Sequence, residues 1–188
     1  MSLLIETDRL LIRPLTAGDL PTLIRFRADE EVSRYIGGAA MQSPEAVERR
    51  LQFYLDCHAR YGFGMSALVA KADGEMVGWG GLQPLEESGE IEVGYGFARQ
   101  FWGQGYATET AAACVRYGFE RAGLKRIVAV AIPENTASRR VMEKIGMRFE
   151  GETVHYGSRC VLYALTRAEF TPRPGVYVVL DGSKGGDG

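Results

Sequence analysis

Metal ligands are scarce in this chain. It has two histidines, His58 and His155, and three cysteines, Cys57, Cys114 and Cys160. The cysteines are far apart, odd in number and match no metal spacing, so no metal is expected and they cannot all pair within the chain. Cys114 stands in the small-residue run "TAAACV" and reads as a buried reduced thiol, in keeping with a cytoplasmic setting. Positive charge is not in excess either. With 22 Lys and Arg against 24 Asp and Glu, the net charge is −2, and no Lys/Arg block supplies a local footprint for nucleic acid. No apolar run approaches the length of a membrane span, and "MSLLIETDRLL" lacks the basic and apolar regions of a leader, so no membrane partner is expected. There are no internal repeats.

What is present suits one soluble domain: 188 residues, 46% apolar and 24% charged. "TDRLLIRPL" (7–15) reads as a first strand closed by Pro14. Thr16, with Asp19 three residues on and Pro21 in the first turn, caps a helix that carries Leu20, Leu23, Ile24 and Phe26 inward and stops near Asp29. Ser43-Pro44-Glu45 opens a second helix, whose stripe of Val47, Leu51, Phe53, Tyr54 and Leu55 ends before Gly62. Strands follow at 63–72 and 75–84 around the turn Asp73-Gly74, then at 90–98. A helix over 106–122 stops at Gly123, and "RIVAVAI" (126–132) is an interior strand. Pro133-Glu134-Asn135 begins a short helix ending at Gly146, and "RFEGETV" and "RCVLYALTRAEF" supply closing strands. The reading is one domain over 1–170 and an extension over 171–188, in which "VYVVL" is a candidate edge strand and the last eight residues are flexible.

Glycine is the anomaly. On the strand 90–98, Ile91, Val93, Tyr95 and Phe97 form the expected core face, and the other face carries Glu92, Gly94, Gly96 and Ala98. Gly78, Gly80 and Gly81 repeat the pattern around Trp79. Either another segment packs tightly there or a ligand lies along the strand; clustering favours the ligand. The loop "RQFWGQGYATET" then leads into a helix N-terminus, where unpaired N–H groups and the helix dipole hold phosphate oxygens well. It is neither a P-loop, lacking Gly-Lys-Ser/Thr, nor a Rossmann loop with three spaced glycines, which disfavours a nucleotide-binding domain.

Gln100-Phe-Trp-Gly103-Gln-Gly105 matches in full the Gln/Arg-x-x-Gly-x-Gly/Ala signature of the GNAT acetyltransferase superfamily. "FWGQGYATE", "ETDRLLIRPLTAGDL", "EIEVGYGF" and "NTASRRVMEKIGMRFEG" resemble its branch of ribosomal-protein N-terminal (alanine/serine) acetyltransferases, in order over residues 5–170. The resemblance implies an α/β (α+β) fold: a mixed, mostly antiparallel twisted sheet flanked by helices, with strands 90–98 and 126–132 splayed into an acetyl-CoA cleft. It implies that the pantetheine arm pairs with main-chain groups near Phe97 and Ala98. The pyrophosphate would sit on the loop from Arg99 and Gln100 through Gly103, Gln104, Gly105 and Tyr106 to Ala107, with Thr108 close by. Asn135, also a good N-cap, would touch the cofactor arm, and Arg139 or Arg140 the outer phosphate.

The reaction so implied is attack by a primary amine, either a protein N-terminus or a small amine, on the thioester. Glu92, alone on its small-residue face, is the candidate base, or else a carboxylate that orients the amine or forms a salt bridge. Ser138, one turn after Asn135, is the candidate acid for the leaving thiolate, or else a plain polar helix residue; many family members use a tyrosine farther along the equivalent helix, and this helix has none. Tyr35, Trp79, Phe63 and Trp102 are candidates for the acceptor pocket, with His155 and Tyr156 at its border; the aromatics have core packing as the alternative. Glu86, Glu87 and Glu90 could draw in a cationic amine or simply be solvated. Partners are thus acetyl-CoA and an amine acceptor, with the chain a monomer or a homodimer. A non-catalytic acyl-CoA-binding sensor of the same fold is the alternative function. Replacing Gly103 by Val is expected to weaken acetyl-CoA binding, read by calorimetric titration; unchanged affinity would reject this placement of the pyrophosphate.

Overall fold

Alternating apolar residues build one large sheet. The computed structural model describes residues 3–85 and 88–181. Among them, nine strands run in the order β7-β8-β6-β5-β4-β3-β2-β1-β9. In chain order they are β1 Leu3–Thr7, β2 Leu10–Pro14, β3 Met65–Ala70, β4 Met76–Pro84, β5 Ile91–Phe97, β6 Arg126–Ala131, β7 Arg148–His155, β8 Ser158–Thr166 and β9 Tyr177–Asp181. The helices are α1 Leu20–Ala28, α2 Glu30–Ser33, α3 Pro44–Tyr61, α4 Tyr106–Glu120 and α5 Thr136–Lys144. Neighbouring strands are antiparallel except β5 and β6, which run parallel.

The expected helix starts are built from the expected caps. Asp19 accepts from both the N–H and the hydroxyl of Thr16, and Ser43 Oγ accepts from Ala46 N at 3.2 Å. Gly62 ends α3 in the left-handed conformation, φ 74°. The first strand differs from expectation. Thr7 Oγ1 lies 3.1 Å from Leu10 N and 3.2 Å from Leu10 O, closing a turn at Asp8-Arg9 that splits 7–15 and leaves "LLIET" as a separate β1. The short α2, with Asp29 as its cap, also had no apolar period to announce it. "VYVVL" does form an edge strand, pairing with β1 at Ile5↔Val179. Of the last eight residues, Asp181 ends β9 and 182–188 lie outside the described residues.

Helices cover both faces. Val77, Leu82, Val93 and Phe97 join Ala111, Val115 and Phe119 of α4 in one apolar cluster. Ala67 and Trp79 join Leu23 and Phe26 of α1 and Leu51 and Tyr54 of α3 in the other. This second cluster overturns part of the ligand reading of the strand glycines. Gly96 is paired directly with Trp79, and a Cβ on Gly96 would stand 2.5 Å from the indole ring. A Cβ on Gly81 would stand 2.1 Å from Gly64 O, and one on Gly78 2.3 Å from Gly96 O. These glycines admit the protein's own ring and backbone. Gly94 differs: its nearest obstacle would be the flexible Met65 Cε at 3.4 Å.

Overpacking a rigid core site destabilises by about 1–3 kcal/mol. Gly96→Ala is therefore expected to lower the urea midpoint by that free energy at unchanged m-value. An unaltered midpoint would return Gly96 to the ligand reading.

Candidate active site

β5 and β6 pair at the single register position Glu92↔Val128. Ala98 N donates to Val77 O at 3.0 Å, and strand alternation then turns the peptide groups of Tyr95 and Phe97 away from β4, toward the gap. Of the two residues expected to offer main-chain groups, Ala98 thus spends its N–H on β4. The Phe97 carbonyl accepts the Trp102 indole N–H at 2.9 Å. The groups on the open edge belong to Tyr95 and to the N–H of Phe97.

A one-turn 3-10 helix, Arg99–Phe101, carries β5 into the loop. Gly103 and Gly105 both take the left-handed conformation, φ 73° and 83°, and Gly105 is the N-cap of α4. Conformation alone therefore calls for two glycines, and a Cβ on Gly103 would meet nothing within 4 Å. The bond from Glu109 N to Gly105 O, 3.1 Å, opens the helix and leaves the N–H groups of Tyr106, Ala107 and Thr108 without helical acceptors. Gln104 Nε2 donates to Gln100 O at 2.9 Å. Arg9, which sequence reasoning passed over, braces the loop: it donates to Gln104 O and to Glu109, each at 2.8 Å, and lies 4.4 Å over the Tyr106 ring.

A cavity of about 410 Å³ occupies the gap. Tyr35, Trp79, Gln83, Glu92 and Tyr156 line it from the α1 and α3 side of the sheet, and Tyr95, Asn135 and Ser138 from the α5 side. The opening thus passes through the sheet. Glu92 is only 5% exposed. Its Oε1 accepts from Gln83 Nε2 at 2.6 Å and from the Tyr156 hydroxyl. Burial pushes its carboxyl above the ordinary range, while the hydrogen bonds from Tyr156 and Gln83 and the charges of Arg50 and His155 pull the other way. Tyr156 holds φ 52° in the β7–β8 turn, where a following glycine, Gly157, shares positive φ.

Asn135 Oδ1 accepts from Ser138 N at 3.1 Å, so Asn135 does cap α5. Ser138 Oγ lies 3.0 Å from the hydroxyl of Tyr95, whose pKa burial pushes up to about 12. The sequence placed Tyr95 on the core face; that face is also the one that looks across the gap at α5. Gln83, Tyr95, Arg27 and Arg50 are among the cavity residues missed. Arg27 is buried beneath Trp79, 4.7 Å from its ring, and donates to Ile36 O at 3.0 Å.

Other candidates fall elsewhere. Phe63 packs in the core beside Tyr61, and Trp102 is 46% exposed on the loop, away from the cavity. Arg139 donates to Tyr163 OH and to Pro133 O, both at 3.3 Å. Glu90 pairs with Arg126 at 2.9 Å, so it is a salt-bridge residue, while Glu86 and Glu87 lie outside the described residues. His155 lines the cavity. Among the described residues, no group of three or more His, Cys, Asp or Glu could hold a metal ion, and no helix is long and apolar enough to cross a membrane. All three cysteines are buried, and none is joined in a disulfide.

Residues 9–148 match the sequence model of the acetyltransferase (GNAT) domain. The chain is 36% identical over 150 residues to the uncharacterised protein YkkB of Bacillus subtilis, covering 76% of this chain and 84% of that one. It is similar to the crystal structure of a GNAT-family acetyltransferase from Bacillus anthracis, with 30% identity and a TM-score of 0.74 over 88% of this chain and 99% of the other. It shares the fold of Mycobacterium smegmatis RimJ, solved in complex with CoA-disulfide, at 23% identity and a TM-score of 0.70 over 90% of this chain and 88% of that one. A parallel strand pair parted above a glycine-rich helix start, in a chain with these relatives, has one family assignment: the protein is an acyltransferase and belongs to the GNAT acetyltransferase family.

Proposed function

We propose that the protein moves an acetyl group from acetyl-CoA to a primary amine by direct attack, with Glu92 as base. One observation carries this reading. The cavity crosses the sheet, with a buried carboxylate on one side and the Tyr95–Ser138 hydroxyl pair on the other. An amine entering beside Glu92 meets a thioester reaching the gap from the α4 and α5 side.

The chain's own groups suit the co-substrate. N–H groups at the start of α4, cleared by Gly103 and Gly105, present donors and the positive helix end to a pyrophosphate. The open edge of β5 offers the Tyr95 peptide groups and the Phe97 N–H to an arm with amide bonds. Asn135, its Oδ1 on Ser138 N, keeps its amide N–H groups for the arm.

Amines with pKa values of about 8 to 10.4 are mostly protonated at neutral pH and then have no lone pair. Glu92 takes the proton that frees it. As nitrogen bonds to the carbonyl carbon and the carbon–sulfur bond breaks, Tyr95 and Ser138 pass a proton to the departing sulfur. Two protons leave the nitrogen in all; one reaches sulfur and one is released. The acceptor class drawn from the sequence resemblance is a protein N-terminus, with small amines as the other arm of the test.

The test is release of free CoA thiol from acetyl-CoA against peptides and small amines. Glu92→Gln should lower kcat by roughly 10²–10⁴, the usual worth of a general base, with acetyl-CoA affinity unchanged. Glu92 must be ionised to act, and burial holds its carboxyl high. The wild-type rate should therefore fall as pH drops through a value above the ordinary carboxylate range, a limb the variant lacks. A variant with the normal rate and pH profile would remove Glu92 as base. Bound acetyl-CoA with no thiol release from any amine would favour the sensor instead.

A further inference from the structure

Gln83 stands directly across from Glu92 in the β4–β5 ladder. It is 4% exposed and lines the cavity. The Gln83 amide nitrogen donates to Glu92 Oε1 at 2.6 Å. That contact fixes the amide's orientation. Its oxygen, Oε1, is then buried with no donor among the described residues. The two other buried side-chain atoms without partners among the described residues, Thr110 Oγ1 and Tyr177 OH, do not line this cavity. Buried amide oxygens are paired in the great majority of cases, and an exception inside a ligand cavity points to a donor brought by the ligand.

We infer that Gln83 Oε1 accepts an N–H from the incoming amine and makes the site selective for primary over secondary amines; this rests on the transfer to an amine proposed above. A neutral primary amine has two N–H bonds and a lone pair. With the lone pair aimed at the thioester carbon, one N–H lies toward Glu92 and the other on Gln83 Oε1. When the new carbon–nitrogen bond forms and one proton leaves, the remaining N–H stays on Gln83 and becomes the amide N–H. A secondary amine has a single N–H at that stage and loses it. The product then leaves Oε1 unpaired in a buried site, the situation in which polar pockets discriminate most strongly. Gln83 is thus a specificity-determining residue whose nitrogen orients the base and whose oxygen reads the substrate.

The experiment compares kcat/KM for an alanine-terminal peptide and its N-methylalanine counterpart, and for benzylamine and N-methylbenzylamine. It uses the wild-type enzyme, Gln83→Leu and Gln83→Glu, with acetyl-CoA affinity measured by calorimetry on each. Leucine keeps the volume and removes the acceptor. Loss of the donor to Glu92 slows both classes in Gln83→Leu, but the primary amines should lose roughly 10- to 100-fold more than the secondary amines, so the preference collapses by about that factor. A carboxyl at 83 shares a proton with Glu92 and keeps an acceptor oxygen, so Gln83→Glu should retain the preference at a lower rate. A preference unchanged in Gln83→Leu, or lost equally in Gln83→Glu, overturns the inference while leaving amine acetylation standing. Normal acetyl-CoA binding with no turnover of any amine by the wild-type enzyme overturns both.

Discussion

In the middle of a nine-stranded sheet, β5 and β6 meet at Glu92↔Val128 and then separate. A sheet interior is normally the place where every peptide group is paired, and an unpaired one there carries a desolvation penalty. The parting leaves the peptide groups of Tyr95 and the N–H of Phe97 on an open strand edge and opens a passage from one helical layer to the other. The same separation sets the N-termini of α4 and α5 at one end of the gap, since each helix follows the strand it caps. Donors, helix dipoles and the two hydroxyls converge because of this one interruption in the ladder.

The second constraint is the burial of a carboxylate beside that passage. Desolvation favours the protonated form of Glu92, and the donors Gln83 and Tyr156 moderate the effect without cancelling it. A carboxyl held high in the folded state stabilises the fold below its unfolded value, and that contribution is lost as pH rises through the raised one. Folding is therefore less favourable with Glu92 ionised, the form that can accept a proton. Gly96 sets the floor of the same region by admitting the Trp79 ring, and Arg27 lies against the ring's other surroundings as a buried cation. β4 and β5 thus set the pocket's floor and hold its carboxylate, while α1, α3 and the β7–β8 turn bring Arg27, Arg50 and Tyr156 to it.

Much of this was legible in the residues. Caps at Thr16, Ser43 and Asn135, stops at Gly62 and Gly123, and the hairpin at Asp73-Gly74 are local signals, decided by side chains a few positions apart. The split at Asp8-Arg9 was not legible, because apolar alternation continues on both sides and the turn is closed by Thr7 bonding to Leu10 and Glu109. The glycine row was read as an anomaly with a ligand favoured over tight packing; for Gly78, Gly81 and Gly96 the neighbour is the protein itself, and only Gly94 faces the cavity. Its meaning depends on which strand lies beside which, and Trp79 faces Gly96 only through the β4–β5 register.

Short-range chemistry in the sequence determined the elements, the glycine-rich entry to α4 and the isolation of Glu92 among small residues. Those are properties of neighbours along the chain, where spacing of two or about four residues says which side chains share a face. Tertiary structure alone decided that Tyr95 meets Ser138, that Tyr156 bonds to Glu92, and that Gln83, its amide oxygen without a donor among the described residues, lines the cavity beside Glu92. These partners are separated by 43, 64 and, for Gln83 and Glu92, 9 residues. No periodicity links such positions; strand register and the gap between β5 and β6 do.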